Sequence, residues 1–228
     1  MRTMRFTRVA VIAALALLSL GAGKPHPNWI NYVTVSESGS HVLGNPEAKV
    51  RLTEFISYTC PHCADFHKQA EAPLKITYVQ PGKASVEIRH FLRDPIDLTV
   101  AMLTNCGDPN RFFQNHDMFL YRQDSWMKTL DTASEAQKQR WVTGKTSERL
   151  RAIAHDFGFF ELMEQRGYDR PAVNRCLADE AMAKKLTAQT QAAIDAGVDG
   201  TPGFMLDGIL LTGTHSWESL NTQLKARM

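Results

Sequence analysis

The sequence has few cysteines, and it contains no internal repeat and no low-complexity tract. Four cysteines among 228 residues are too few for the disulfide framework of a small secreted domain. With 43% hydrophobic residues, a chain of this length can bury a core without such a framework. The four cysteines suit one reactive pair and one structural pair.

The sequence also lacks a clear apolar run of about 20 residues, the length that spans a bilayer comfortably. Its apolar run over residues 9–20 is shorter, and three arginines precede it while small residues at Gly21 to Gly23 follow it. This pattern predicts a signal peptide over residues 1–23 that is removed on export to a compartment where disulfides can persist. An uncleaved N-terminal anchor is the alternative. No cysteine lies near the cleavage site, which argues against a lipoprotein.

Neither sign of charge predominates in the chain. It has 26 basic and 24 acidic residues, and loss of the leader removes three arginines and no acid. The mature chain then carries 23 basic residues against 24 acidic ones, a net charge of −1. The small basic excess therefore belongs to the leader, and we expect no binding to nucleic acid.

Hydrophobic patterns divide the mature chain into three stretches. The first, residues 24–96, predicts a strand, a helix that begins at the Cys60 motif, and a second strand. The second, residues 97–178, has no convincing strand pattern and reads as an all-helical insert. The third, residues 179–228, predicts a helix, a hairpin that turns at Asp207-Gly208, and a final helix. The sequence thus predicts an α/β fold in two parts with a helical insertion.

The motif Cys60-Pro61-His62-Cys63 stands where the first long strand gives way to the helix. A proline fits the first helical turn, where its missing N–H costs nothing. The helix dipole and free N–H groups at this end favour a thiolate at Cys60, which predicts a solvent-facing nucleophile tuned by His62. Cys63, one turn further on, is the predicted resolving cysteine. Together with a distant Thr201-Pro202 before a second strand, the motif indicates thiol–disulfide exchange.

The segment from Glu54 to Cys63 resembles the active-site segment of DsbA-like disulfide oxidoreductases. The helical insert and the Thr201-Pro202 strand follow in the order of that family, and the resemblance covers residues 40–228. It implies a thioredoxin-like fold with an inserted all-helical domain, and a periplasmic oxidase that introduces disulfides into exported proteins. The Pro-His dipeptide is characteristic of the oxidase branch.

The same resemblance implies roles for three further residues. Pro202 is expected to be cis and to pack beside the disulfide, and the backbone of Thr201 is expected to pair with an extended substrate. Glu54 matches the buried acid of thioredoxin-like folds, which relays the proton of Cys63. The alternative for Glu54 is an exposed position at the edge of the sheet, since glutamate is rarely fully buried.

The predicted partners are folding exported proteins and a quinone-linked membrane reoxidant of the DsbB type. No cofactor is expected because the dithiol carries the electrons, and nothing in the sequence demands a dimer, so we expect a monomer. A disulfide isomerase or reductase is the alternative within the same class. A metal carrier or a peptide-binding chaperone on this fold is the alternative from another class.

The remaining cysteines and the histidines raise two further points. In an oxidising compartment we expect Cys106 and Cys176 to form a structural disulfide, with two free buried thiols as the alternative. Cys60, Cys63 and His67 share a helical face that a zinc ion could occupy. No second CxxC or HxxxH completes a tetrahedral set, so no metal site is predicted.

Overall fold

The computed structural model describes residues 27–228, so the predicted leader lies outside the described residues. Six strands form one mixed sheet in the order β1-β2-β4-β3-β5-β6. The strands are β1 (Val33–Val35), β2 (His41–Gly44), β3 (Val50–Ile56), β4 (Ala84–His90), β5 (Gly203–Leu206) and β6 (Ile209–Leu210). Strands β3 and β4 run parallel, and every other pairing in the sheet is antiparallel.

Eleven α-helices surround and extend this sheet within the described residues. They are α1 (Pro61–Leu74), α2 (Pro95–Thr104), α3 (Phe112–Tyr121), α4 (Gln123–Trp126), α5 (Thr129–Thr132), α6 (Glu135–Val142), α7 (Thr146–Asp156), α8 (Phe159–Gln165), α9 (Arg170–Leu177), α10 (Glu180–Asp195) and α11 (Trp217–Ala226). None of the helices in residues 27–228 combines the length and apolar character that crossing a membrane requires.

Strand β3 lies at the centre of the sheet and has helices on both faces. Successive side chains of a strand point to opposite faces. Leu52 and Ile56 therefore share the face on which α1 packs, where Phe66 contacts Phe204 of β5 with ring centroids 4.8 Å apart. Phe55 points to the other face and packs against Ala193 of α10. The β3–α1 connection, which carries the cysteine motif, is thus fixed by a strand and a helix that are both buried.

The helices between β4 and α10 form the predicted insertion and share the main core with the sheet. Aromatic side chains fill it, and Trp126 meets Phe159 with ring centroids 5.4 Å apart. The predicted boundary at residue 97 falls inside α2, which already begins at Pro95. The boundary at residue 179 falls between α9 and α10, where Asp179 accepts the hydrogen bond that caps α10.

Two details differ from the sequence-based predictions. Strand β2 was not expected, because its pattern is short and ends in the turn-like Gly44-Asn45-Pro46 segment; it forms by pairing with β4. The sequence also makes Thr59 a candidate cap for α1, but Cys60 occupies the N-cap position and the Thr59 hydroxyl donates to Asp94. The Asp207-Gly208 turn is as predicted: both residues have positive φ angles, 53° and 81°, as a tight hairpin requires.

Cys106, just after α2, and Cys176, in α9, form a disulfide across 70 positions of sequence. Closing a loop of this length restricts the unfolded chain. We expect the double variant Cys106→Ala with Cys176→Ala to lose about 2–4 kcal/mol of unfolding free energy. Urea unfolding of the oxidised proteins measures this loss. An unchanged transition midpoint would show that the bridge does not stabilise the fold.

Candidate active site

Cys60 and Cys63 are free thiols at the start of α1, and the structure gives them unlike surroundings. Cys60 is the N-cap residue, in an extended backbone conformation, and Pro61 is the first residue of the helix. Only 4% of Cys60 is exposed, less than expected for a solvent-facing nucleophile, because the Thr201 loop lies over it. Cys63 is fully buried, whereas Pro61 and His62 are exposed.

The pKa values of the two thiols are shifted in opposite directions. The pKa of Cys60 is lowered from 9.0 to about 4, chiefly because the Cys63 thiol donates to its sulfur. Burial opposes this shift, and hydrogen bonds from Thr201 and from the backbone N–H groups of Cys63 and His62 lower the pKa further. Burial raises the pKa of Cys63 well above the usual value, and the sulfur of Cys60 and the carboxyl of Glu54 raise it further. Cys60 is therefore a thiolate at neutral pH, and Cys63 keeps its proton.

The Thr201-Pro202 segment lies directly beside Cys60. The Thr201–Pro202 peptide bond is cis, and the Cys60 sulfur lies 3.2 Å from the Thr201 carbonyl oxygen, to which it donates only when it is protonated. A groove of about 550 Å³ runs past this contact and is lined by His62, Phe66, Pro202 and Trp217, among others. The groove leaves room for an extended chain beside the Thr201-Pro202 segment.

His215 supports the same segment and was given no role by sequence reasoning. Its Nδ1 lies 2.9 Å from the Pro202 carbonyl, to which the ring N–H donates. His215 also lines the groove. It stands 13 positions from Pro202, and no local pattern links the two.

The loop before Cys60 is held from both sides by buried polar groups that sequence reasoning also missed. Gln123, at the start of α4, donates to the carbonyls of Tyr58 and Cys60 at 2.6 and 2.9 Å. Asp97, in α2, accepts from the Ser57 hydroxyl at 2.5 Å and from the Tyr58 N–H at 2.8 Å. Asp97 is the one charged residue of α2, which is a signal that the sequence offered; Gln123 has no such signal. Both braces come from the insertion.

Glu54 lies on the inner strand β3 and is only 3% exposed, so the alternative of an exposed edge glutamate is wrong. Burial raises the pKa of its carboxyl from 4.5 to about 8. Its Oε1 has no hydrogen-bond partner among the described residues. The carboxyl raises the pKa of Cys63, and Glu54 lines a small cavity whose other walls come from the sheet, α1 and α3.

Cys60, Cys63 and His67, which the sequence offered as possible zinc ligands, do not come together as a metal-binding group among the described residues. His67 points to Asp117 of α3, with Nε2 and Oδ1 3.2 Å apart. In the described part of the chain, the group whose ligand atoms lie close enough for a metal is His67, His116 and Asp117. The Lys75 ammonium sits 2.9 Å from the other oxygen of Asp117 and opposes a second cation there.

A hydrogen bond from the Thr201 side chain helps to lower the pKa of Cys60, which leads to a direct test. Thr201→Val keeps the shape of the side chain and removes the donor, so we expect the pKa of Cys60 to rise by roughly one unit. Thiolate absorbance followed against pH in the reduced protein measures this change. Thr187→Val, in the exposed part of α10, is the matched control. Equal titration curves for the two variants would contradict the role of the hydroxyl.

Comparison with known proteins places this geometry in a family. A family profile described as thioredoxin matches residues 36–226, nearly all of the described chain. The chain belongs to the thioredoxin family.

Two solved structures share the architecture of this thioredoxin-family chain. A protein described as a protein-disulfide isomerase from Novosphingobium aromaticivorans is 55% identical, with a TM-score of 0.80 over 83% of this chain and 97% of that protein. The α-DsbA1 protein of Wolbachia pipientis is 22% identical, with a TM-score of 0.64 over 84% of this chain and 92% of its own. The fold is therefore thioredoxin-like with the helical insertion of DsbA proteins, as predicted.

A curated relative from Rickettsia felis adds a sequence match at 31% identity over 183 residues. It is provisionally named a protein-disulfide oxidoreductase. The match covers 79% of this thioredoxin-family chain and 57% of the relative, so the chain spans little more than half the length of that protein.

Proposed function

We propose that this protein is a thiol:disulfide oxidoreductase that donates the Cys60–Cys63 disulfide to exported proteins in the periplasm. One observation carries the proposal: the reduced pair has one thiol with a pKa of about 4 and another with a pKa raised well above the usual value. A stable thiolate at the first sulfur stabilises the reduced dithiol form relative to the disulfide, so the disulfide is a strong oxidant.

In the proposed reaction, a client thiolate attacks Cys60 of the disulfide form. The bond between the two sulfurs breaks, and Cys63 leaves with the electron pair and takes up a proton. A second client thiolate then attacks the client sulfur of the mixed disulfide, and Cys60 leaves as a thiolate. The client loses two electrons and gains a disulfide, while the protein is reduced to its dithiol.

Each supporting residue has a part in this scheme. The Thr201 carbonyl and the groove beside Pro202 hold the client near Cys60, Pro61 and His62 start the helix that stabilises the thiolate, and Glu54 exchanges the proton of Cys63. A quinone-linked membrane protein of the DsbB type would reoxidise the dithiol. We propose that the mature protein acts as a monomer after removal of its leader.

Disulfide isomerisation is the second candidate, because the 55% identical protein from Novosphingobium aromaticivorans is described as a protein-disulfide isomerase. An isomerase works mainly in its reduced form, with Cys60 attacking a wrong disulfide of the client. A strongly stabilised Cys60 thiolate is a good leaving group but a weaker nucleophile, which favours the oxidase.

The experiment that separates the two uses one client in two forms. The oxidised protein is mixed with a reduced client that has two cysteines, and the reduced protein is mixed with the same type of client carrying scrambled disulfides. Alkylation and mass mapping follow the products. The oxidase proposal expects stoichiometric oxidation of the first client and slow repair of the second. The reverse order of rates would favour the isomerase, and inactivity in both would end the proposal.

A further inference from the structure

The turn from Ser57 to Thr59, which joins β3 to the cysteine motif, contacts a buried carboxyl of the insertion and the buried sulfur of the pair. We propose that Asp97 is a positioning residue for disulfide exchange: it holds this turn so that the Ser57 N–H donates to the Cys63 sulfur when that sulfur leaves. The inference rests on the proposed function, since it concerns the leaving group of that reaction. It gives the insertion a part in the chemistry, through α2.

Asp97 lies fully buried in the first turn of α2, and both oxygens of its carboxyl accept hydrogen bonds from the chain around the active site. Oδ1 accepts the Tyr58 N–H at 2.8 Å, and Oδ2 accepts the Ser57 hydroxyl at 2.5 Å and the Arg93 N–H at 3.1 Å. The Ser57 hydroxyl in turn accepts the Thr59 N–H at 3.3 Å. Because a buried carboxylate is costly without donors, these contacts hold the turn firmly against α2.

The backbone N–H of Ser57 faces the leaving sulfur. It donates to the sulfur of Cys63 and lowers the pKa of that thiol, against burial and the carboxyl of Glu54, which raise it. Cys63 is fully buried, so solvent does not reach its thiolate. A fixed donor in such a site stabilises developing charge far more than the same donor would in water. Since a thiol of lower pKa leaves faster, the Ser57 N–H acts directly on the rate of exchange.

Two neighbouring side chains hold other parts of the same segment. Asp94 accepts the Thr59 hydroxyl at 2.7 Å, and Gln123 donates to two backbone carbonyls. Neither makes a hydrogen bond to Ser57 within residues 27–228. Asp97 is therefore the side chain through which the insertion fixes Ser57.

The step in which Cys63 leaves balances without a further reactant. A client thiolate attacks the Cys60 sulfur, so that a bond forms between the client sulfur and Cys60 while the bond from Cys60 to Cys63 breaks. The electron pair of the broken bond goes to Cys63, whose thiolate accepts the Ser57 N–H until it takes up a proton. The second client thiolate then releases Cys60, as in the proposed reaction.

The test uses Asp97→Asn in the mature protein at pH 8, where the carboxyl is ionised because its pKa, raised by burial, is about 7. Asparagine keeps an oxygen for the Tyr58 N–H but places an NH₂ group where Oδ2 accepted from Ser57 and Arg93. We expect disulfide transfer to a reduced two-cysteine peptide to slow roughly tenfold, less than the 100-fold or more that follows loss of a whole oxyanion-hole donor. Removing the negative charge would by itself favour the Cys63 thiolate and speed the step, so slowing identifies a loss of position.

A second reaction takes Cys63 out of the chemistry. In the Cys63→Ser background, Cys60 is converted to its mixed disulfide with glutathione, and an added thiol attacks the glutathione sulfur and releases Cys60. Asp97→Asn should leave this rate unchanged, because Cys63 is not the leaving group. Equal slowing in both backgrounds would overturn the proposal, since Asp97 would then act on Cys60 or on the fold as a whole.

Matched variants complete the comparison. Asp179→Asn removes a carboxylate that accepts a backbone N–H at the exposed cap of α10, and it should transfer disulfides like wild type. Ser57→Ala keeps its backbone N–H and should slow transfer less than Asp97→Asn does. If Asp97→Asn does not fold, Ser57→Ala carries the same two-background test, and slowing that is not confined to the intact pair would overturn the proposal.

A rate for Asp97→Asn equal to or above that of Asp179→Asn would contradict the positioning role. If wild type transfers no disulfide at all, the proposed function itself fails, and this outcome is distinct from a variant that matches an active wild type.

Discussion

Replacing Cys60 with serine is expected to abolish disulfide transfer, with a loss of at least about a thousandfold in rate. Cys60 is the thiol that is ionised at neutral pH, and it is the one beside the Thr201 carbonyl and the groove. A serine hydroxyl at this position ionises far less readily than a thiol and cannot form a disulfide. Transfer to a reduced two-cysteine peptide, followed by alkylation and mass mapping, measures the loss.

The companion variant Cys63→Ser provides the control. It keeps the Cys60 thiolate but removes the buried thiol that resolves the mixed disulfide. We expect a covalent adduct between Cys60 and an oxidised client to accumulate. Removal of Cys106 and Cys176 should leave transfer in place, because that disulfide lies in the insertion. Residual transfer by Cys60→Ser near the wild-type rate would exclude the proposed chemistry.

Stability should depend on redox state and pH in a linked way. The pKa of Cys60 falls from 9.0 to about 4 on folding of the reduced protein. Between these values the unfolded chain binds the proton and the folded chain does not, so stability rises with pH through this window and is lost as pH falls toward 4. Three pH units correspond to about 4 kcal/mol, so we expect the reduced protein to gain about 3–4 kcal/mol relative to the oxidised protein between pH 4 and pH 7.

The comparison of redox forms isolates this one group. The buried Glu54, Asp97, His41 and His90 also have shifted pKa values, but they titrate in both forms and largely cancel in the difference. Urea unfolding of the oxidised and reduced proteins at pH 4, 5, 6 and 7 measures it. The unfolding free energy of Cys60→Ser should change with pH in the same way as that of the oxidised protein. A difference that stays constant with pH would show that Cys60 is not a stabilised thiolate.

Most of the fold could be predicted because its signals are local. Strand β3 alternates apolar and polar residues up to the consecutive Phe55-Ile56, α1 begins at a proline, and the hairpin turns at Asp207-Gly208. Strand β2 was missed because its four residues carry little pattern and are fixed by pairing with β4. The cysteine pair and its Thr201-Pro202 neighbour were found because their residue types and order are distinctive.

The remainder of the site depends on contacts between distant parts of the chain. Gln123 lies 63 positions from Cys60, and its two hydrogen bonds exist only once the insertion packs on the sheet. His67 was weighed as a zinc ligand beside the cysteines, because a helical face can be inferred from sequence but the partner helix cannot. Its actual partner is Asp117 of α3. The near-complete burial of Cys60 likewise follows from the loop that covers it, which sequence spacing does not reveal.

The reduction potential of the Cys60–Cys63 pair tests the central claim most directly. The mature protein would be equilibrated with glutathione buffers, trapped by alkylation and mapped by mass spectrometry, so that Cys106 and Cys176 are counted separately. The stabilised thiolate predicts a potential about 60–90 mV higher than that of a pair with an ordinary thiol, and well above the roughly −270 mV of thioredoxin. A value near or below that of thioredoxin would mean that the pair acts as a reductant, and it would contradict the account of a disulfide donor.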